Sequence, residues 1–127
     1  MDLHHVHLFA SDMTATLAWW QRYLGARVLN DEVLAGARNV LIGVGRGRIN
    51  IYDQPPRDEG RGAVHHLGVR VPNLRAEWAR LLADGVTSRN GLREHGSWRY
   101  AMIEAPDNVL VELFEFDEPK SVFNTDG

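Results

Sequence analysis

Three side chains in this sequence have the chemistry of metal ligands and fall at matched places in an internal repeat: His5, His66 and Glu112. A neutral imidazole offers a nitrogen lone pair, and a carboxylate offers an anionic oxygen. Two of the first and one of the second, with coordination positions left open, form the facial arrangement that suits Fe(II); Mn(II), Zn(II) and similar ions fit related ligand sets. The chain has no cysteine, which excludes disulfides, thiolate catalysis and sulfur-ligated metal. Any metal here sits on nitrogen and oxygen.

The repeat is what sets these residues apart. Leu3-His4-His5-Val6-His7-Leu8 opens the chain, and Val64-His65-His66-Leu67-Gly68-Val69 reopens it at an offset of 61 (66 − 5). The same offset lays Asp12 on Asn73, Met13 on Leu74 and Leu17 on Trp78. Further on, Ile49-Asn50-Ile51-Tyr52 matches Val111-Glu112-Leu113-Phe114 at an offset of 62 (112 − 50). A duplicated unit of this size buries its apolar face against its own copy. His5, His66, Asn50 and Glu112 then occupy equivalent positions about a pseudo-twofold axis.

The elements that must hold these residues follow from the pattern. Residues 3–10 read as a strand, and Ser11 or Asp12 is suited to cap the helix after it. Met13, Leu17, Trp20 and Leu24 recur at helical spacing until Gly25 stops the run. Strands are expected over 27–33, 39–44 and 48–53, the last two joined at Gly45-Arg46-Gly47. The Pro-, Gly- and charge-rich stretch 53–62 reads as a linker. In the second copy, 64–71 is a strand, Asn73 a cap, and Leu74, Trp78, Leu81 and Leu82 an apolar helical stripe ending at Gly85. Strands over 97–103 and 109–116 flank a turn at Ala105-Pro106-Asp107-Asn108. The polar residues 117–127 are expected to trail along the surface. The fold class is α+β: two βαβββ modules, 1–60 and 61–127, forming a cupped mixed sheet with helices on its outer face.

Alternation along the strands assigns faces. His5 shares one with Leu3, His7 and Phe9, and Glu112 shares one with Leu110, Phe114 and Phe116, while Glu115 alternates away towards solvent. A carboxylate between Val111 and Leu113 is costly to bury unless paired or metal-bound, although an isolated strand glutamate more often lies at an edge or surface. His4 and His65 are expected on the helix-facing side, hydrogen-bonded to carbonyls. His7 lines the pocket, and His95 reads as a solvated loop residue. Trp19, Trp20 and Trp78 are core or subunit-interface residues.

Composition restricts the functional classes. At 127 residues the chain forms one domain, or two small modules sharing a core. A net charge of −3 and the lack of any Lys/Arg run give no basis for nucleic-acid binding. No stretch reaches the length of a membrane span, and the N-terminus lacks the pattern of a signal peptide, so the expected location is the cytoplasm.

At these residues the sequence resembles the vicinal oxygen chelate superfamily, which includes glyoxalase I, fosfomycin-modifying transferases, methylmalonyl-CoA epimerase, extradiol dioxygenases and bleomycin-sequestering proteins. The resemblance runs from Leu3 to Phe116. It rests on His5 followed by Asp12, Trp20-Gln21-Arg22-Tyr23-Leu24-Gly25, Val64-His65-His66-Leu67, and Glu104-Ala105-Pro106-Asp107-Asn108 leading to Val111-Glu112-Leu113. It implies metal ligands at His5, His66 and Glu112, and one divalent ion per site, Fe(II) or Mn(II) first and Zn(II) or Ni(II) as alternatives. The ion would be chelated by two neighbouring oxygens of a small substrate. Glyoxalase I and the epimerase carry a further Glu or Gln ligand where this chain has Asn50, and an amide cannot serve as a carboxylate base. Extradiol enzymes usually carry a tyrosine that maps to Met102; here Tyr100 stands two residues earlier on the same face.

The reading is therefore a metal-dependent enzyme, leaning to an extradiol-type dioxygenase. A glyoxalase-like lyase or isomerase or a fosfomycin-type transferase is the alternative, and a metal-free binding protein of the bleomycin type the alternative from another class. Candidate catalytic groups are His7 and Tyr100; candidate substrate contacts are Asn50, Tyr52, Arg70, Trp98 and Phe114. The expected assembly, following relatives such as glyoxalase I, is a homodimer whose sites draw residues from two chains.

Overall fold

A computed structural model describes residues 1–117. The expected surface course of the C-terminal segment falls almost wholly on 118–127, outside the described residues. The chain divides into two compact units. One is Met1–Gly60 with Ala105–Asn108; the other is Arg61–Glu104 with the chain from Val109 onward.

The first unit contains β1 (Val6–Phe9), α1 (Met13–Leu24), β2 (Arg27–Leu34), β3 (Ala37–Val44) and β4 (Gly47–Tyr52), with sheet order β1-β4-β3-β2. The second contains β5 (Leu67–Arg70), α2 (Leu74–Ala83), β6 (Arg93–His95), β7 (Trp98–Ala105) and β8 (Val109–Phe116), with order β5-β8-β7-β6. Each sheet is mixed, because its first strand lies parallel to its last: Val6 pairs with Ile49 and Leu67 with Val111. These pairs restate the repeat in hydrogen bonds. The α+β class and the βαβββ order are as the sequence implied.

Local chemistry explains the repeated starts and stops. Asp12 Oδ1 accepts the Ala15 N–H at 3.0 Å, and Asn73 Oδ1 accepts that of Ala76 at 3.3 Å, so both helices are capped by the copy-related side chain. Gly25 ends α1 at φ 65°, where a side chain would be strained. The apolar faces then pack in parallel fashion. Val40, Ile42, Ile49, Ile51, Met13 and Trp20 are buried in the first unit, and Ala101, Ile103, Val111, Leu113, Leu74, Trp78 and Leu81 in the second. Burial of each large side chain contributes about 1.5–3 kcal/mol. Leu82, assigned to the α2 stripe, is instead half-exposed, because the stripe is already filled by Leu74, Trp78 and Leu81.

In the first unit, the turn Ala105–Asn108 meets the start of α1. Asp107 accepts both the backbone N–H and the hydroxyl of Ser11, and the Asn108 amide donates to the Glu59 carbonyl at 2.7 Å. Asp107 and Asn108 both hold φ at 61°, a left-handed region that Asn and Asp enter more readily than other non-glycine residues. Among the described residues, no helix is long and apolar enough to cross a membrane.

Candidate functional site

The strands carrying the histidines begin later than the sequence pattern suggests. β1 starts at Val6 and β5 at Leu67, so His5 and His66 are the last residues before their strands. Within the second unit, Glu112 pairs with Gly68 in the β5–β8 ladder, two residues beyond His66. That places His66 Nε2 3.9 Å from Glu112 Oε1. The gap is shorter than two metal–ligand bonds of roughly 2.0–2.2 Å each, so one ion fits both atoms. Among the described residues His66 is the sole polar partner of Glu112, whose side chain is only 23% exposed. A carboxylate and an imidazole nitrogen so placed are donors of the kind a divalent metal takes. Gly68 beside it presents no side chain, whereas the equivalent position in the first unit holds His7, paired with Asn50.

In the first unit, His5 lies against His7, with ring centroids 6.1 Å apart, and His7 against Tyr52 at 5.5 Å. Asn50 is oriented by a neighbour that the sequence did not single out. The buried Asn39 donates Nδ2 to the carbonyls of Leu34 and Ala37, which leaves its Oδ1 to accept Asn50 Nδ2 at 3.2 Å. The Oδ1 of Asn50 is thereby the end turned away from Asn39, available as a neutral acceptor or ligand. Among the described residues, no group of three or more His, Asp or Glu side chains is assembled to hold a metal. The second unit brings His66 and Glu112 together, and the first carries His5.

The face of the second sheet that bears Glu112 is aromatic. Trp98 and Tyr100 stack at 5.1 Å and 18°, and His95 stacks on Tyr100 at 5.7 Å and 12°. Phe114 and Phe116 stack at 5.9 Å, with the Arg70 guanidinium 4.7 Å above Phe116. His95 therefore belongs to a strand, β6, and lies opposite Trp98 in its ladder, not in a loop. Strand pairing brings it beside the rings of β7.

Several expectations are corrected by the opposite face. Glu115 does not turn to solvent: its carboxylate accepts the Leu74 N–H at the start of α2 and pairs with Arg99 at 3.0 Å. Arg99 is buried and also reaches Asp117 at 2.9 Å. Its place in β7, in alternation with Ala101 and Ile103, was the signal that it faces the helix. His4 and His65 are not buried beneath a helix either. Both are exposed, and each makes its hydrogen bond to the histidine that follows it.

The two copies of one strand–helix–strand plan, each with a histidine ahead of its first strand, match a known family. The model of the Glyoxalase/Bleomycin resistance protein/Dioxygenase superfamily covers residues 2–113. The chain belongs to that superfamily. No curated protein matches it. Among solved structures, fosfomycin resistance protein FosX from Listeria monocytogenes is 19% identical, with a TM-score of 0.78, 98% of this chain and 97% of that one covered. A glyoxalase family protein from Enterococcus faecalis is 22% identical, with a TM-score of 0.73 and coverage of 90% and 97%. A FosX mutant complexed with Mn(II) and 1S,2S-dihydroxypropylphosphonic acid is 22% identical, with a TM-score of 0.70 and coverage of 88% and 87%. At these identities the likeness is one of fold.

Proposed function

We propose that this protein is a metal-dependent enzyme whose small substrate chelates the ion through two neighbouring oxygens, with His5, His66 and Glu112 as ligands. Among superfamily reactions we assign it to extradiol-type ring cleavage of a catechol-like compound. The observation that carries this reading is the stacked row of His95, Trp98 and Tyr100 on the sheet face that also bears Glu112. Stacked rings of this kind favour a planar aromatic ligand by about 0.5–1.5 kcal/mol per ring pair beyond the area buried.

A bound Fe(II) or Mn(II), with Zn(II) or Ni(II) as alternatives, supplies Lewis-acid charge and open positions for oxygen ligands. The rest is the work of this chain's own side chains. Trp98 and Phe114 hold the substrate ring in plane. The Tyr100 hydroxyl and the His7 ring take up and return the protons of the substrate hydroxyls. Arg70 offers positive charge to an acidic substituent, and Tyr52, its ring 5.5 Å from that of His7, is a further substrate contact. Asn50, held by Asn39, contributes Oδ1 as a neutral contact; with no carboxylate there, the proton shuttle of a glyoxalase has no second base.

The dioxygenase assignment has a direct test. Protein loaded with Fe(II) without oxygen and then mixed with aerated buffer and a panel of catechols should consume one O₂ per ring opened. Both oxygen atoms are retained in a yellow product, and no external reductant is used. Absence of oxygen uptake across the panel would overturn the assignment. Turnover under nitrogen of fosfomycin or of a 2-oxo-aldehyde thiol adduct would then place the enzyme in the transferase or lyase branch. The FosX complex, whose bound diol-phosphonate has neighbouring oxygens, is the reason for including fosfomycin.

We further propose a homodimer. Its support is the edge strand β2, where Val28, Leu29, Val33 and Leu34 are each at least 45% exposed. An exposed edge strand carrying four apolar side chains invites a protein partner.

A further inference from the structure

Each unit places the same small arrangement immediately ahead of its first strand. Nδ1 of His4 lies 2.9 Å from Nδ1 of His5, with ring centroids 5.1 Å apart and planes at 87°. Nδ1 of His65 lies 2.8 Å from Nδ1 of His66, with centroids again 5.1 Å apart and planes at 83°. Two imidazole nitrogens at this distance share one proton, so one Nδ1 is protonated and the other is a bare acceptor.

Which ring donates follows from what the other nitrogen must do. His66 turns Nε2 toward Glu112, and His5 Nε2 has no hydrogen-bond partner among the described residues. A nitrogen that ligates a metal carries no proton, so a ring that ligates through Nε2 keeps its proton on Nδ1. His5 and His66 are then the donors, and His4 and His65 the acceptors. A free histidine side chain prefers the opposite tautomer, with the proton on Nε2. His4, His5 and His65 are exposed and His66 partly so, so no surrounding core reverses that preference, and at His66 the Glu112 carboxylate 3.9 Å from Nε2 adds to it. The preceding histidine is the group in position to do so.

We propose that His4 and His65 are positioning residues. Each accepts the Nδ1–H of the histidine after it, fixing that ring's tautomer and orientation so that a bare Nε2 faces the metal. The proposal rests on the reading of His5 and His66 as ligands. It adds a pair of supporting residues, one per repeat, using an imidazole where a carboxylate or backbone carbonyl commonly serves.

The test has a spectroscopic arm and a binding arm. Long-range ¹H–¹⁵N spectra of metal-free protein should show His5 as the Nδ1–H tautomer, and His66 likewise against the pull of the Glu112 carboxylate 3.9 Å from its Nε2. In His65→Ala, His66 should shift toward Nε2–H; in His65→Asn, whose Oδ1 can accept the same proton, it should not. In calorimetric titrations, His4→Ala and His65→Ala should each weaken Mn(II) binding by about 10–100-fold, with His65→Asn recovering most of the loss. Circular dichroism should be unchanged, since these positions are exposed. Glu112→Gln serves as the control on the ligand reading. If it binds Mn(II) like the parent, that reading fails, and the ring tautomers alone decide this proposal. Nε2–H on His66 in the parent protein would overturn it. So would His65→Ala binding Mn(II) at parental affinity while Glu112→Gln does not.

Discussion

Glu112→Gln should move the stability of the protein in opposite directions with and without metal. The carboxylate is about three-quarters buried, its only partner among the described residues is His66 Nε2 at 3.9 Å, and it lies between two fully buried apolar residues. An unsatisfied buried polar group costs about 1–3 kcal/mol, more when charged. With the partial exposure taken into account, replacing the charge by an amide of the same shape should stabilise the metal-free protein by about 1–2 kcal/mol. Metal reverses the order. An ion present at a hundred times its dissociation constant stabilises the parent by about 2.7 kcal/mol. For a chain of this size that is a rise of roughly 10 °C in Tm, and the variant should show almost none of it. Thermal melts of both proteins, with chelator and with Mn(II), read out all four states. Two results would refute the reasoning. A metal-free variant less stable than the parent means the carboxylate is held by donors. A full Mn(II) shift in the variant means the ion binds elsewhere.

Other expectations follow from neighbouring features. Trp98→Ala should raise KM for an aromatic substrate by about 3–10-fold, the equivalent of one lost ring stack, with kcat and Tm little changed; steady-state kinetics and a melt check it. Arg99→Met removes the buried cation that pairs with Glu115 and Asp117. It should lower stability by about 2–3 kcal/mol, seen as a lower urea midpoint at unchanged slope. Inactive His5→Ala chains mixed with inactive Glu112→Ala chains should regain about a quarter to a half of parental activity if each site draws on two subunits. No recovery despite demonstrated subunit exchange would place all three ligands in one chain.

Much of the fold was legible because the repeat carries its own proof. Asp12 and Asn73, Gly25 and Gly85, and the apolar pairs from Val40/Ala101 to Ile51/Leu113 each obey one physical rule twice. Alternation carried the face assignment of Glu112 and Phe114 correctly, since both lie well inside β8. It failed for His4 and His65 because the strands start after them, and outside a ladder nothing enforces a period of two. Glu115 and Arg99 were missed for a different reason. Alternation did turn Glu115 away from Glu112, but that face meets α2, and a charge is tolerated there once a second charge and a helix N-terminus share it. Pairwise satisfaction of this kind is a property of three separate segments and has no signature in any one of them. The Asn39–Asn50 contact is similar: its meaning depends on two carbonyls of the β2–β3 turn.

The turn Ala105–Asn108 gives the duplication a lasting asymmetry. It belongs to the first unit although the strands on either side of it belong to the second, so the chain passes between the units at three places. Asp107 meets Ser11 across a separation of 96 residues, and Asn108 meets Glu59 across 49. The first half of the sequence therefore lacks the acceptor that engages Ser11 beside its first helix. Because the Ser11–Asp107 closure spans most of the chain, completion of the first unit waits on synthesis of nearly all the second.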